Sequence, residues 1–411
     1  MILLTHPFGN ANVRAVLNAL DHANLLAKFV TTLGWSASSP FVQAMPENLR
    51  AQLARRAYDL PHYKIKTHPA REIVRLLSER LGLRGLTSHE KGWASIDRVW
   101  GNLDQVTAEY LRQNHERLKI RGVYAYEDCA ERSFEAAREL GLRRIYDLPI
   151  AYWETAQRLL REEAGRYPQW EPTLGGTRDS AEKLARKTRE LELAEIVVCP
   201  SAFVLDSLPE SARSSKRCVM APFGSPAIIE DRSYTTHRTY TAPLRFLFAG
   251  ALTQRKGLAD LFAAMKLVGS NEAELFVMGS PVLPMSFYRN EFADFVYEPP
   301  RPHGAVLQLM RSCDVLVLPS IVEGRALVQQ EAMACGLPLI VTRNAGGEDL
   351  IVEGKTGFLV PTGAPAAIAE KVVWFLQNRA ELPGMSAAAR AKAAELTWPA
   401  YGEKILHAIR D

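Results

Sequence analysis

CDVLVLPSIVEGRALVQQEAMACGLPLIVT, residues 313–342, runs from one apolar stretch to another across a helix-forming span. VLVL and LPLIV are apolar throughout rather than alternating, which suits strands buried on both faces of a parallel sheet. With a helix near Ala326–Cys335 between them, the unit reads strand–helix–strand. The same grammar extends outward: LRFLFAG (244–250) precedes a helix near Leu258–Val268, AELFVMG (273–279) is a further strand, and GFLVP (357–361) follows. Upstream, MILLTHP, HANLLAKFVTT, GVYAYED, RRIYDLPIAYW and AEIVVCPS read as strands or strand-bearing segments between helices. Strands alternating with helices predict βαβ units with helices on both faces of each sheet.

At 411 residues the chain is too long for one ordinary core. Ser225–Pro243, rich in Ser, Thr, Pro and Tyr, reads as an interdomain linker. The expected fold class is α/β: two Rossmann-like doubly wound domains facing across a cleft, spanning 1–225 and 244–395 around a linker at 226–243. Ligands of such sheets bind at the carboxyl ends of the strands. A composition of 47% apolar and 23% charged residues is that of an ordinary globular protein. No apolar run reaches the roughly 18 residues of a membrane span, and MILLTHPFGN lacks the basic start and long apolar core of a signal peptide. Five scattered cysteines without a CxxC pair argue for reduced thiols in a cytoplasm and against a zinc site or disulfide framework. Residues 1–225 hold 32 Lys+Arg against 27 Asp+Glu and the remainder 18 against 19, a surplus too mild to indicate nucleic acid.

Two clusters carry chemistry. In FAGALTQRKGLADLF a strand ends at Gly250, and Arg255-Lys256-Gly257 lead into a helix. A helix N-terminus with two cations suits a diphosphate, although a basic loop at a helix start reads the same way. Glu323 and Glu331 stand eight positions apart, one in a loop after a strand and one inside a helix. A loop carboxylate can accept from hydroxyls on one side of a phosphate and a helical one from a second polyol. Together they describe a nucleotide-sugar, against the alternative of two solvated acids.

The stretch PSIVEGRALVQQEAMACGLPLIVTRNAGGEDLIVEGKTGFLVP resembles the signature of retaining glycosyltransferase family 4, of GT-B fold, in its Glu-x7-Glu pair, EAMACG helix and Gly-Gly turn. The resemblance reaches back to GALTQRKG, AEIVVCPS and APFG. LTWPAYGEKIL resembles the family's last helix, which would make 396–411 cross back onto the first domain. It implies a metal-independent, cofactor-free hexosyltransferase that uses a nucleoside diphosphate sugar as substrate. The acceptor would be a hydroxyl of a glycan, a lipid-linked sugar or a small molecule, in the cytoplasm or peripherally on the inner membrane face. Arg255 and Lys256 would hold the diphosphate, Glu331 the ribose and Glu323 the transferred sugar. Gly250, Glu298, Gly324, Arg325, Ala326 and Leu327 would complete the donor site, with Gly9 and Asn10 approaching from the first loop.

The chain departs from the family pattern at several positions. Ala251 stands where an Arg is common, and Arg325-Ala326 replace an aromatic-Gly pair and add a cation to the sugar site. The usual strand His near the reaction centre would be Asp147, in RIYDLPIAYW, with His6 a second cleft candidate. These departures keep two other functions open: a nucleotide-sugar epimerase of the same fold, or a non-catalytic nucleotide-sugar-binding partner subunit. Finally, Leu49–Lys91 holds ten Lys+Arg against four acids. Within it PAREIVRLLSERLG predicts a helix with Ile73, Leu76, Leu77 and Leu81 in one stripe and Arg71 and Arg75 opposite. That face meets either the protein's own core or an anionic acceptor or membrane surface.

Overall fold

A computed structural model of the protein describes residues 1–39, 56–226 and 242–410. The linker expected over 226–243 and the cations Arg50 and Arg55 lie wholly or almost wholly outside the described residues. Two parallel sheets form the frame. The first has seven strands, in the order Ile65–Thr67, Leu26–Thr31, Ile2–Thr5, Gly122–Tyr126, Arg143–Asp147, Ile196–Cys199, Arg217–Met220. The second has six, in the order Phe295–Glu298, Ala273–Met278, Leu244–Ala249, Val315–Leu318, Leu339–Thr342, Gly357–Val360. Both are α/β doubly wound sheets, as the unbroken apolar runs predict. Four inner strands, ILLT, GVYAY, IVVC and VLVL, are buried at every position.

In each sheet the winding reverses beside the first strand, between Ile2–Thr5 and Gly122–Tyr126 and between Leu244–Ala249 and Val315–Leu318. At such a point neighbouring loops leave in opposite directions and open a crevice at the carboxyl ends. The first crevice is bordered by the loop after Thr5 and by Glu127-Asp128. The second is bordered by the loop after Ala249 and by Pro319–Gly324.

Two segments cross between the domains. Helix Trp398–Arg410 lies on the first sheet, where Tyr401, Ile405, Leu406 and Ile409 join Val13, Leu17 and Tyr124 in one core. In the other direction, helix Trp153–Arg166 and the turn Pro168–Thr173 reach from the first domain into the second. Trp170 is fully buried there, with ring centroids 5.0 Å from Phe287 and 5.6 Å from Tyr288. No helix among the described residues is long and apolar enough to cross a membrane.

Candidate donor site between the two domains

Strand Leu244–Ala249 delivers the chain to Gly250, and a 3-10 turn over Gln254–Lys256 sets Arg255 and Lys256 side by side. The turn closes at Gly257, whose φ of +78° is left-handed and whose added Cβ would fall 2.0 Å from the Pro319 carbonyl oxygen. Only glycine permits both. The neighbouring strand Val315–Leu318 brings in Glu323, and its Oε1 receives Arg255 Nη1 at 2.5 Å and Lys256 Nζ at 2.7 Å. Arg255 also donates to the Val322 carbonyl at 3.0 Å and accepts from the Ile321 amide at 2.9 Å, locking the two loops together. Burial pushes the Glu323 carboxyl up, but Lys256 and Arg255 outweigh burial and hold it below the usual carboxylate range.

The loop carrying Glu323 is seated on the first domain. An added Cβ on Gly324 would fall 1.7 Å from the Pro149 carbonyl oxygen, and Ser201 Oγ donates to the Gly324 carbonyl at 2.6 Å. Ile321 and Val322 share an apolar cluster with Ala151, Leu160, Leu174 and Phe203 of the first domain. The Gln254–Lys256 turn is braced from the same side. Gln254 donates its amide to Thr173 Oγ1 at 3.1 Å and its side chain to Glu163 at 2.8 Å and Asp260 at 2.9 Å, while Arg166 donates to Asp260 at 2.8 Å.

The remaining expected residues are distributed around this centre. Glu331 lies on helix Leu327–Ala334, half-buried, with Oε1 3.0 Å from His303 Nε2 at the start of helix His303–Arg311. Glu298 ends the edge strand of the second sheet and pairs with Arg301. Ala326, which accepts from the Gln329 amide at 3.0 Å, and Leu327 open the Glu331 helix. Gly9 and Asn10 line a cavity of about 530 Å³ in the first domain, together with Phe8, Arg14, Arg56 and Arg75.

Two expectations give way. Arg325 adds no cation to the sugar site. Its guanidinium is fully buried and donates to Asp349 at 2.7 and 3.1 Å, Gln330 at 2.9 Å and the Gly346 carbonyl at 3.1 Å, so it ties the Glu323 loop to the Gly-Gly turn. Asp147 does not border the cleft. It is buried under helix Trp398–Arg410, where Tyr124 donates its hydroxyl to Oδ2 at 2.6 Å and the Tyr401 hydroxyl faces the same carboxyl. Burial raises its pKa to about 7. His6, at the end of the first strand, is also buried. Its Nδ1 accepts from the Phe8 amide at 2.9 Å, and burial and Arg56 lower its pKa to about 4, leaving the ring neutral at ordinary pH.

Sequence reasoning missed Glu127 and Asp128 at the carboxyl end of Gly122–Tyr126, beside the first domain's crevice. Glu127 lies 3.1 Å from Lys187, and Asp128 accepts from Arg186 at 2.8 Å. The signal was an acid pair directly after an apolar strand. It missed the Gln254 bracing as well, because Glu163 and Thr173 lie 91 and 81 residues earlier in the chain, although Asp260 is only six residues on.

A sequence model of the family described as glycosyl transferases group 1 matches residues 243–378. The second domain is a glycosyl transferases group 1 domain. Over 184 residues the chain is 24% identical to an uncharacterized glycosyltransferase of Methanocaldococcus jannaschii, covering 44% of this chain and 50% of that protein. It is 34% identical over 106 residues to a D-inositol 3-phosphate glycosyltransferase of Corynebacterium diphtheriae, covering 26% of this chain and 25% of that one. The matches thus span half or less of these relatives. Whole-chain likeness is structural. Sucrose-phosphate synthase from Thermosynechococcus elongatus aligns over 100% of this chain and 98% of its own with a TM-score of 0.67 at 17% identity. Anabaena HepE in complex with UDP aligns over 100% and 99% with a TM-score of 0.64 at 14% identity. The fold is GT-B, and the group 1 domain supplies Arg255, Lys256, Glu323 and Glu331.

Proposed function

We propose that the protein transfers a hexose from a nucleoside diphosphate sugar to a hydroxyl of a glycan, lipid-linked or small-molecule acceptor, with retention and without a metal ion. The observation that carries this reading is the convergence of Arg255 and Lys256 on one carboxylate, Glu323, at the crevice of a group 1 domain. Positive charge fixed beside the crevice stabilises a departing diphosphate more than a bound one, because negative charge grows on it as the sugar bond breaks. The chain's own cations would do what a metal does elsewhere. A diphosphate shares those cations and frees Glu323 oxygens to accept from sugar hydroxyls, while Glu331 accepts from the ribose. With Asp147 buried away from the cleft, the departing phosphate would serve as the base for the acceptor proton.

Solved structures of Anabaena HepE with UDP and with UDP-glucose make a uridine nucleotide the first donor to test. UDP at about 100 times its Kd stabilises a native protein by roughly 2.7 kcal/mol. A rise in melting temperature with UDP, lost in Lys256→Ala, together with sugar release or transfer from UDP-glucose, is the expected result. No stabilisation by any member of a nucleoside diphosphate panel would overturn the reading.

A further inference from the structure

Helix Ala70–Leu81 sits with its chemistry turned inside out. The usual amphipathic helix buries its leucines and leaves its charges in water. Here Glu72 and Ser78 are buried, while Ile73, Leu77 and Leu81 are 43%, 50% and 69% exposed. The cause is an ion-pair anchor. Glu72 accepts from Arg56 at 2.6 Å and from Arg75 at 2.8 Å, and the Arg56 guanidinium lies 4.9 Å over the Phe8 ring of the first loop. Charge holds the helix to the domain, and its apolar stripe faces out.

The patch continues beyond the helix. Leu83 and Leu86 of the following turn and Trp93 are 50%, 39% and 49% exposed. The Leu83 amide donates to Ser78, the Ala94 amide donates to Leu86, and Arg71 lies 4.5 Å over the Trp93 ring, so helix, turn and loop form one surface. Arg80, Arg84, Lys91 and Arg98 are exposed on the same stretch, and none has a carboxylate partner among the described residues. A contiguous exposed apolar patch marks an interaction site. An apolar stripe rimmed by unpaired cations fits the boundary between acyl chains and anionic headgroups.

We propose that this face docks the protein on an anionic lipid bilayer, with Ile73, Leu77, Leu81 and Trp93 entering the headgroup–acyl boundary and Arg80, Arg84 and Lys91 meeting the phosphates. The cavity lined by Phe8, Gly9, Arg56 and Arg75 adjoins the anchored side of the helix, so on the transferase reading the acceptor is presented from that surface. That consequence rests on the transferase reading; the docking does not.

The test is flotation of the full chain with phosphatidylcholine vesicles, with and without phosphatidylglycerol, in the absence of donor. Binding to the anionic vesicles, weakened about tenfold or more in both Leu77→Glu/Leu81→Glu and Arg80→Glu/Arg84→Glu, is expected. Because these side chains are exposed, unchanged melting temperature and unchanged stabilisation by UDP separate lost docking from lost fold or lost donor site. Failure to float with either vesicle, or equal binding to both by wild type and variants, overturns the proposal. So does a dimer in light scattering that Leu77→Glu/Leu81→Glu dissociates, which would assign the face to a second copy of the chain.

Discussion

Arg255 and Lys256 share a single carboxylate, so a diphosphate entering the crevice competes with Glu323 for them. Glu323→Gln removes the competing charge but keeps a group that accepts from a sugar hydroxyl. UDP should then bind at least as tightly as to wild type, by up to about tenfold, since each pKa-scale unit of charge interaction is worth roughly 1.4 kcal/mol. Turnover should fall by on the order of 10²-fold, because hydroxyls at the reacting sugar lose a charged partner that strengthens in the transition state. Calorimetry against UDP and initial rates with UDP-glucose check the two arms, and weaker UDP binding with unchanged turnover would reverse the assignment. The meeting of these three side chains was legible because each lies in the loop after an apolar strand, and strand ends in a doubly wound sheet converge. Arg325 also lies in the loop after such a strand, and Asp147 ends one, yet a sequence shows a charge without showing where it points. Arg325 turns inward because Asp349 waits behind it, and Asp147 because Tyr124 and Tyr401 enclose it.

Among the elements, the sequence concealed the path of Trp153–Thr173 into the other domain. The buried strands announced themselves by unbroken apolar runs, whereas the half-buried edge strands Arg217–Met220 and Phe295–Glu298 did not. RYPQWEPT has no period at all, and its largest side chain, Trp170, packs against Phe262, Phe287 and Tyr288 in the other domain. Removing that anchor should act twice. Trp170→Ala should cost roughly 3–5 kcal/mol of stability, the usual loss for a large aromatic deleted from a core. It should also weaken UDP binding several-fold, because Thr173 and Glu163 hold Gln254, the residue before Arg255, from the same segment. Trp170→Phe, which refills most of the volume, should restore both. Denaturant titration and calorimetry on the two variants check this. A destabilised Trp170→Ala that binds UDP normally would make the strap a packing element with no hold on the Gln254–Lys256 turn.

At the scale of the whole molecule the two domains are stitched twice, by that strap and by helix Trp398–Arg410, and the second stitch contains a proton. The family resemblance of LTWPAYGEKIL pointed to a helix near there, but the carboxyl beneath it could not be read from the sequence, since Asp147 and Tyr401 are far apart along the chain. Asp147 titrates near 3.8 when unfolded and at about 7 when folded, so between those values the folded chain holds a proton that the unfolded chain has released. Stability from this group is therefore fully present below pH 3.8 and lost as pH rises through 7. His6 works the other way. Its folded pKa of about 4 lies below the ordinary 6.5, so the unfolded chain binds the extra proton in that window and stability rises with pH across it. The two effects oppose each other up to pH 6.5, and above it only the Asp147 loss continues. Asp147→Asn keeps an uncharged group that can accept from Tyr124, and it should remove that loss. Its stability relative to wild type should climb between about pH 4 and 7 and level off above, towards a gain on the order of 4 kcal/mol, the scale of a three-unit shift in a fully buried group. Melting curves of both proteins across pH 4–9 give the difference directly, with His6 and every other titrating group cancelling. Parallel curves would mean that Asp147 is ionised in the fold at neutral pH, stabilised by the two tyrosine hydroxyls rather than kept protonated between them.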